Sequence, residues 1–197
     1  MAEIEEILSR LEQIFSEIQL DYVIVGGLAA IIKGKARTTT DIDLILQNDP
    51  NKITRFLDKL KERDFDVLNN QVRLAFEEGV NASIFDELSV MRLDIKIAKK
   101  PIDIEALNTG VIEHYNKMRL KVASVEYILL GKIWFLGDIS GIPDSELLEY
   151  NDVIDFLNVF VNNKDSLDLD WLRKKASAIK SSSTLNRLLA FCRDYSL

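Results

Sequence analysis

The residues best suited to chemistry are two carboxylates one residue apart, Asp41 and Asp43, in the run Arg37-Thr38-Thr39-Thr40-Asp41-Ile42-Asp43-Leu44-Ile45-Leu46. Alternate side chains of a β-strand point to the same face, so these acids stand side by side and repel unless a cation lies between them. A divalent ion, Mg²⁺ or Mn²⁺, meets that need because it takes carboxylate oxygens together with substrate phosphates. A third acid, Asp94, sits in another alternating run, where Met91, Leu93, Ile95 and Ile97 take one face and Arg92, Asp94 and Lys96 the other. If that strand lies beside the first, the three carboxylates converge on one or two metal ions, which would bind an attacking oxygen and the phosphates of a nucleotide. Asp94 would then complete the metal site and accept the proton of an incoming hydroxyl. Taken singly, each acid is also explained as a strand-edge aspartate facing water.

Upstream, Tyr22-Val23-Ile24-Val25-Gly26-Gly27 reads as an apolar strand ending in two glycines. Backbone amides at such a turn, with no Cβ in the way, can cradle a phosphate at the start of the next helix. A plain tight turn is the competing reading. Arg37 and Thr39 offer a cation and a hydroxyl on the approach to the acids; for Arg37 the alternative is a solvated loop.

The elements that must hold these residues follow from the apolar spacing. Ile4, Ile7, Leu8, Leu11, Ile14, Phe15 and Ile18 mark a helix over 3–18. A strand at 21–25, a short helix at 28–33 closed by Gly34 as its C-cap, and a strand at 41–47 come next. Asp49-Pro50 predicts a helix start, with the helix running to about Arg63. A short helix at 71–77, a strand pair at 81–86 and 90–97, a helical piece at 103–108, and a hairpin at 111–115 and 118–122 around Asn116-Lys117 follow. From Ser124 onward the spacing predicts helices over 124–137, 144–161, 169–179 and 183–194. The expectation is therefore an α+β fold, a small mixed sheet flanked by helices and followed by a helical region. Residues 1–123 would form the core, and 124–197 would pack on it and complete the cleft.

Composition narrows the partners. Hydrophobic residues at 47% and charged residues at 29% suit a globular chain of 197 residues with a sizeable core. No apolar run reaches the roughly 18–20 residues of a membrane span, and the acidic start Met1-Ala2-Glu3-Ile4-Glu5-Glu6 is unlike a targeting segment. The expected compartment is the cytoplasm. The single cysteine, Cys192, rules out an internal disulfide and a cysteine-based zinc cluster. A net charge of −7 argues against strong non-specific nucleic-acid binding, although Lys33, Lys35 and Arg37, and again Arg92, Lys96, Lys99 and Lys100, form local basic groups.

The motif set resembles a known family. Val25-Gly26-Gly27-Leu28-Ala29-Ala30, followed by Arg37-x-Thr39-x-Asp41-Ile42-Asp43-Leu44, is similar to the signature of the DNA polymerase beta-like nucleotidyltransferase superfamily. Its local form is closest to the small prokaryotic branch that includes abortive-infection (AbiEii-type) toxin nucleotidyltransferases, and Asp94 within Leu93-Asp94-Ile95 matches the family's third carboxylate. The resemblance implies a mixed sheet flanked by helices, Mg²⁺, and transfer of a nucleoside monophosphate from an NTP (ATP or another) with release of pyrophosphate. It also implies a lysine and a later aspartate on the helical half. The segment Leu120 to Lys132 gives that lysine as Lys132, reaching the triphosphate. The aspartate is Asp152 or its competitor Asp155, and Gly137 to Pro143 stands where relatives carry an arginine-rich lead.

The function expected is thus a Mg²⁺-dependent nucleotidyltransferase acting on a hydroxyl acceptor, whether RNA or tRNA, protein or small molecule. A toxin–antitoxin or phage-defence setting with a cognate partner protein would suit that branch. The alternative is a non-catalytic member that binds a nucleotide or a partner. The proposed site comprises Asp41, Asp43 and Asp94 for catalysis and metal, with Gly26, Gly27, Arg37, Thr39 and Lys132 for the nucleotide.

Overall fold

A computed structural model describes residues 2–194. The chain divides into two compact units, Met1–Leu28 with Thr38–Ala123, and Ala29–Arg37 with Ser124–Leu197. Met1 and residues 195–197, which the expected domain spans include, lie outside the described residues.

The first unit is built on a seven-stranded mixed sheet of order β3-β4-β5-β2-β1-β7-β6. In chain order its elements are α1 (Ala2–Ile18), β1 (Tyr22–Val25), β2 (Asp41–Leu46), α3 (Pro50–Lys61), β3 (Phe65–Asp66), α4 (Asn69–Glu78), β4 (Ala82–Asp86), β5 (Arg92–Ile97), α5 (Pro101–Thr109), β6 (Val111–Tyr115) and β7 (Met118–Val122). The helix α2 (Gly26–Lys33) begins directly after β1. Two pairings are parallel, β2 with β5 and β1 with β7; β1 with β2 and the hairpin pairs are antiparallel.

Alternation gives this sheet two unlike faces. Ile24, Ile42, Leu44, Leu46, Ile84, Leu93, Ile95 and Val122 share one face and are almost fully buried. Tyr22 of that face stacks on Phe15 of α1 at 3.8 Å, and Phe15 stacks on Phe56 of α3 at 5.2 Å. A fully buried ring such as Phe56 contributes about 1.5–3 kcal/mol. The opposite face is divided along its length. Toward the C-terminal ends of β2 and β5 it is covered by α5, where Lys96 donates to the buried Asp103 at 2.7 Å and Gly110 passes close to Val23. Its other half carries Asp41, Asp43, Arg92 and Asp94, all only partly covered. Elsewhere in this unit the fully buried Asp86 is held by Arg10 at 2.7 Å. Buried acids are thus neutralised for the fold, while the open half of one sheet face keeps its acids near solvent.

The second unit comprises the later part of α2 with α6 (Val125–Leu136), α7 (Asp144–Leu147), α8 (Asn151–Asn163), α9 (Leu169–Ala178) and α10 (Ser182–Asp194). Ser124 caps α6 by accepting from the Tyr127 amide. Arg187 of α10 ties down the 137–144 connection by donating to the Ile139 and Ile142 carbonyls and to Asp144. Among the described residues no helix is long and apolar enough to cross a membrane.

Two expectations fail. The single helix over 144–161 is two helices, broken at Leu148–Tyr150, where Leu148 and Tyr150 are exposed. The break lets α8 bury its own stripe of Val153, Asp155, Phe156, Leu157 and Val159. Gly34 is not a left-handed cap, since its φ is not positive. A Cβ there would lie 2.8 Å from the Ala30 carbonyl oxygen and 3.1 Å from Val159, so the residue is small to admit α8.

Candidate active site

β2 and β5 run parallel in a register that sets Asp43 opposite Asp94 and Asp41 opposite Arg92. All four positions share one face, on strands spaced about 4.8 Å apart, so Asp41, Asp43 and Asp94 are neighbours with Arg92 among them. The strand adjacency on which that convergence was conditional is therefore present.

Glycine at 26 is a requirement of this geometry. Its φ is +64°, a left-handed conformation that glycine adopts at no steric cost, and a Cβ built on it would lie 2.0 Å from Asp43 Oδ2. The Asp43 carboxylate therefore lies directly over the turn that opens α2. Thr39 and Thr40 fix the start of β2: the Thr39 hydroxyl bonds with the Asp41 backbone, and the Thr40 hydroxyl donates to Asp41 Oδ1 at 3.2 Å.

The cation between the acids is Arg92. Its Nε lies 3.0 Å from Asp41 Oδ1 and 3.2 Å from Asp94 Oδ2. Ser83 of β4, opposite Asp94 in the sheet, donates its hydroxyl to Asp94 Oδ1 at 2.5 Å. Among the described residues no group of three or more His, Cys, Asp or Glu side chains is arranged to hold a metal ion as it stands. The donor set nonetheless fits a hard divalent ion, being all carboxylate oxygen. A guanidinium shared by two of the three acids and a carboxylate seated on a side-chain-free turn both mark a place for positive charge.

The remaining predicted residues belong to the second unit. Asp155, buried on α8, receives Arg37 in a two-pronged pair, Nε and Nη2 each at 2.8 Å, and Lys132 Nζ at 2.6 Å. Lys132 also donates to the more exposed Asp152 at 2.8 Å. Burial pushes the Asp155 carboxyl up, but the hydrogen bonds from Arg37 and Lys132 outweigh it and leave the group below the usual carboxylate range. The Asp155 bond in turn raises Arg37. Between the two candidate aspartates, Asp155 is the hub of this cluster and Asp152 its rim. Cys192 is buried, and burial pushes its thiol up to about 11.

Sequence reasoning overlooked Arg92 and Ser83 as site residues. Arg92 carried a usable signal, two residues before Asp94 on the same strand face; Ser83 carried none, because its place depends on how β4 pairs. A cleft of about 410 Å³ lined by Gln47, Ala98, Lys99 and Leu107 lies past the far ends of β2 and β5 and includes none of the three acids.

Known proteins match this chain in part of its sequence and in its fold. Residues 2–80, which contain Gly26, Gly27, Asp41 and Asp43, match the family "Nucleotidyltransferase of unknown function (DUF6036)". No curated protein sequence matches the chain. Among solved structures, that of ANT(2")-Ia in complex with adenylyl-2"-tobramycin superposes with a TM-score of 0.59 at 14% identity, covering 92% of this chain and 98% of that one. An antigenic nucleotidyltransferase-like protein from Paracoccidioides brasiliensis gives 0.52 at 20% identity, covering 96% and 93%. The solution structure of ANT(2'')-Ia gives 0.51 at 13% identity, covering 100% and 99%. The family match covers residues 2–80, less than half of the chain, and the fold is shared with these solved structures over nearly all of it.

Proposed function

We propose that the protein transfers a nucleoside monophosphate from an NTP to a hydroxyl acceptor, with a divalent ion held by Asp41, Asp43 and Asp94. The observation that carries this reading is the in-register acid triad on the open half of one sheet face, with Asp43 seated over Gly26. A bound Mg²⁺ or Mn²⁺ would neutralise the triphosphate and ease loss of the acceptor's proton. The chain's own residues do the rest. Backbone amides at Gly26 and Gly27, at the N-terminus of α2, bind phosphate oxygens. Asp41 and Asp43 would hold the ion that carries the nucleotide's phosphates, and Asp94 accepts the hydroxyl proton. The acceptor oxygen bonds to the α-phosphorus as the bond to pyrophosphate breaks, and pyrophosphate leaves. Thr39 at the start of β2 is assigned to nucleotide binding; Arg37 and Lys132, nucleotide contacts in the sequence expectation, are held on Asp155 within the second unit.

A small hydroxyl-bearing molecule is favoured as acceptor over RNA. The chain is acidic, net charge −7, which opposes binding to a phosphate backbone, and the ANT(2")-Ia complex holds adenylyl-2"-tobramycin. On the resemblance of its Gly26-Gly27 and Asp41-Ile42-Asp43 motifs, this reading includes a place in the abortive-infection branch, with a toxin–antitoxin or defence role and a cytoplasmic setting. The test is incubation with each α-labelled NTP and Mg²⁺ in the presence of small polyols and aminoglycosides, RNA, or cell protein. Label should pass to a small hydroxyl compound, with pyrophosphate released. Label found on RNA or protein overturns the acceptor assignment alone, and no NTP consumption in any arm overturns the activity.

A further inference from the structure

Arg92 is the cation that the sheet sets directly among these acids. Its Nε is shared between Asp41 and Asp94 at 3.0 and 3.2 Å. Its backbone is fixed opposite Asp41 and two residues before Asp94, so it cannot leave this face of the sheet. Yet its side chain is 41% exposed, unlike Arg10, which is 15% exposed and locked onto the buried Asp86. An ion pair so open to water is weak and can be exchanged. A guanidinium also binds phosphate as readily as carboxylate, in the same two-pronged geometry.

We infer that Arg92 is a resident cation that makes divalent-ion binding conditional on the nucleotide. This rests on the nucleotidyltransferase reading above. A metal ion arriving alone must displace the guanidinium from two of its three ligands and leave Arg92 without an anion. An ion arriving with a nucleotide brings phosphate oxygens that receive the released guanidinium. Metal and nucleotide then favour each other's binding, and the coupling passes through Arg92. In the absence of nucleotide the same residue keeps Asp41 and Asp94 paired and the metal site closed.

The test is Mn²⁺ titration, followed by the electron paramagnetic resonance of free Mn²⁺, with and without an α,β-methylene NTP that binds but cannot transfer. Wild type, R92Q and R92K are compared, with circular dichroism to verify folding. Wild type should bind Mn²⁺ weakly alone and about tenfold more tightly with the analogue. R92Q should bind Mn²⁺ alone about tenfold more tightly than wild type, with most of the analogue's effect gone. R92K, which keeps the charge without the fork, should fall between them and provides the comparison if R92Q does not fold. If R92Q binds Mn²⁺ alone no better than wild type while the analogue still binds, the inference is overturned and the proposed function stands. If no protein binds the analogue with Mn²⁺, the proposed function falls with it.

Discussion

Gly26→Ala isolates the link between backbone geometry and the acid site. Two separate costs can be read from the structure. The first is conformational: alanine at φ +64° lies in the left-handed region, at about 1–2 kcal/mol. The second is steric: the new methyl would lie 2.0 Å from Asp43 Oδ2 and 2.6 Å from its Cγ, so the carboxylate must withdraw by about 1.4 Å to reach a tolerable 3.4 Å. The obstacle is a short, strand-borne side chain, so β2 itself or the Asp43 rotamer must give. Together the effects should cost about 1–3 kcal/mol of stability, lowering Tm by roughly 2–10 °C for a chain of this size. Misplacement of a reacting group by about 1 Å costs on the order of 100-fold in rate, so pyrophosphate release should fall by about that factor, well beyond what the lost stability explains. Differential scanning fluorimetry and a coupled pyrophosphate assay measure the two effects. A G26A protein with wild-type Tm and activity within twofold of wild type would refute the claim that Asp43 depends on this turn.

Other perturbations have their own signs. Asp155→Ala leaves the buried Lys132 with Asp152 alone and removes the Arg37 pair, costing about 2–4 kcal/mol by urea unfolding at pH 7. The folded-state carboxyl is depressed, so its stabilisation is complete above the unfolded pKa of about 3.9 and is lost as pH falls through the folded value. The gap between wild type and D155A should therefore close in the acid range below about pH 4, and a gap independent of pH would show that the pairing is not its source. Gly131→Ala acts in the opposite direction: nothing lies within 4 Å of a Cβ in the middle of α6, so stability should rise by about 0.5–1 kcal/mol, read as an increase in Tm.

Much of the site was legible because β-structure alternates with a period of two. The same-face placement of Asp41 with Asp43, and of Arg92 with Asp94, follows from spacing alone. So does the start of α3, where Asp49 accepts from the Asn51 and Lys52 amides and Pro50 takes the first helical position. What spacing could not supply was which strands become neighbours. The pairing of β2 with β5 in register Asp43 to Asp94, and the arrival of Ser83 through β4, are long-range results of packing. The same limit explains why Arg37 looked like a free cation in a loop. Its partner Asp155 is 118 residues away, on a helix whose start was hidden in an apolar run that read as continuous from 144 to 161. Gly34 misled for a related reason: a glycine after a helix suggests a left-handed cap, but here close approach to Val159 is what requires it.

The most direct test of the account is calorimetric titration of ATP, GTP, CTP and UTP into the protein, in Mg²⁺ and again in EDTA, for wild type and for the Asp41→Asn, Asp43→Asn double variant. Both substitutions keep the shape of the side chains and remove the charge, so the fold should be retained by circular dichroism. The account predicts that at least one nucleotide binds wild type in Mg²⁺, and that binding weakens at least about tenfold in EDTA and in the double variant. Nucleotide binding that is indifferent to both EDTA and the double substitution, or no binding by wild type at all, would contradict it.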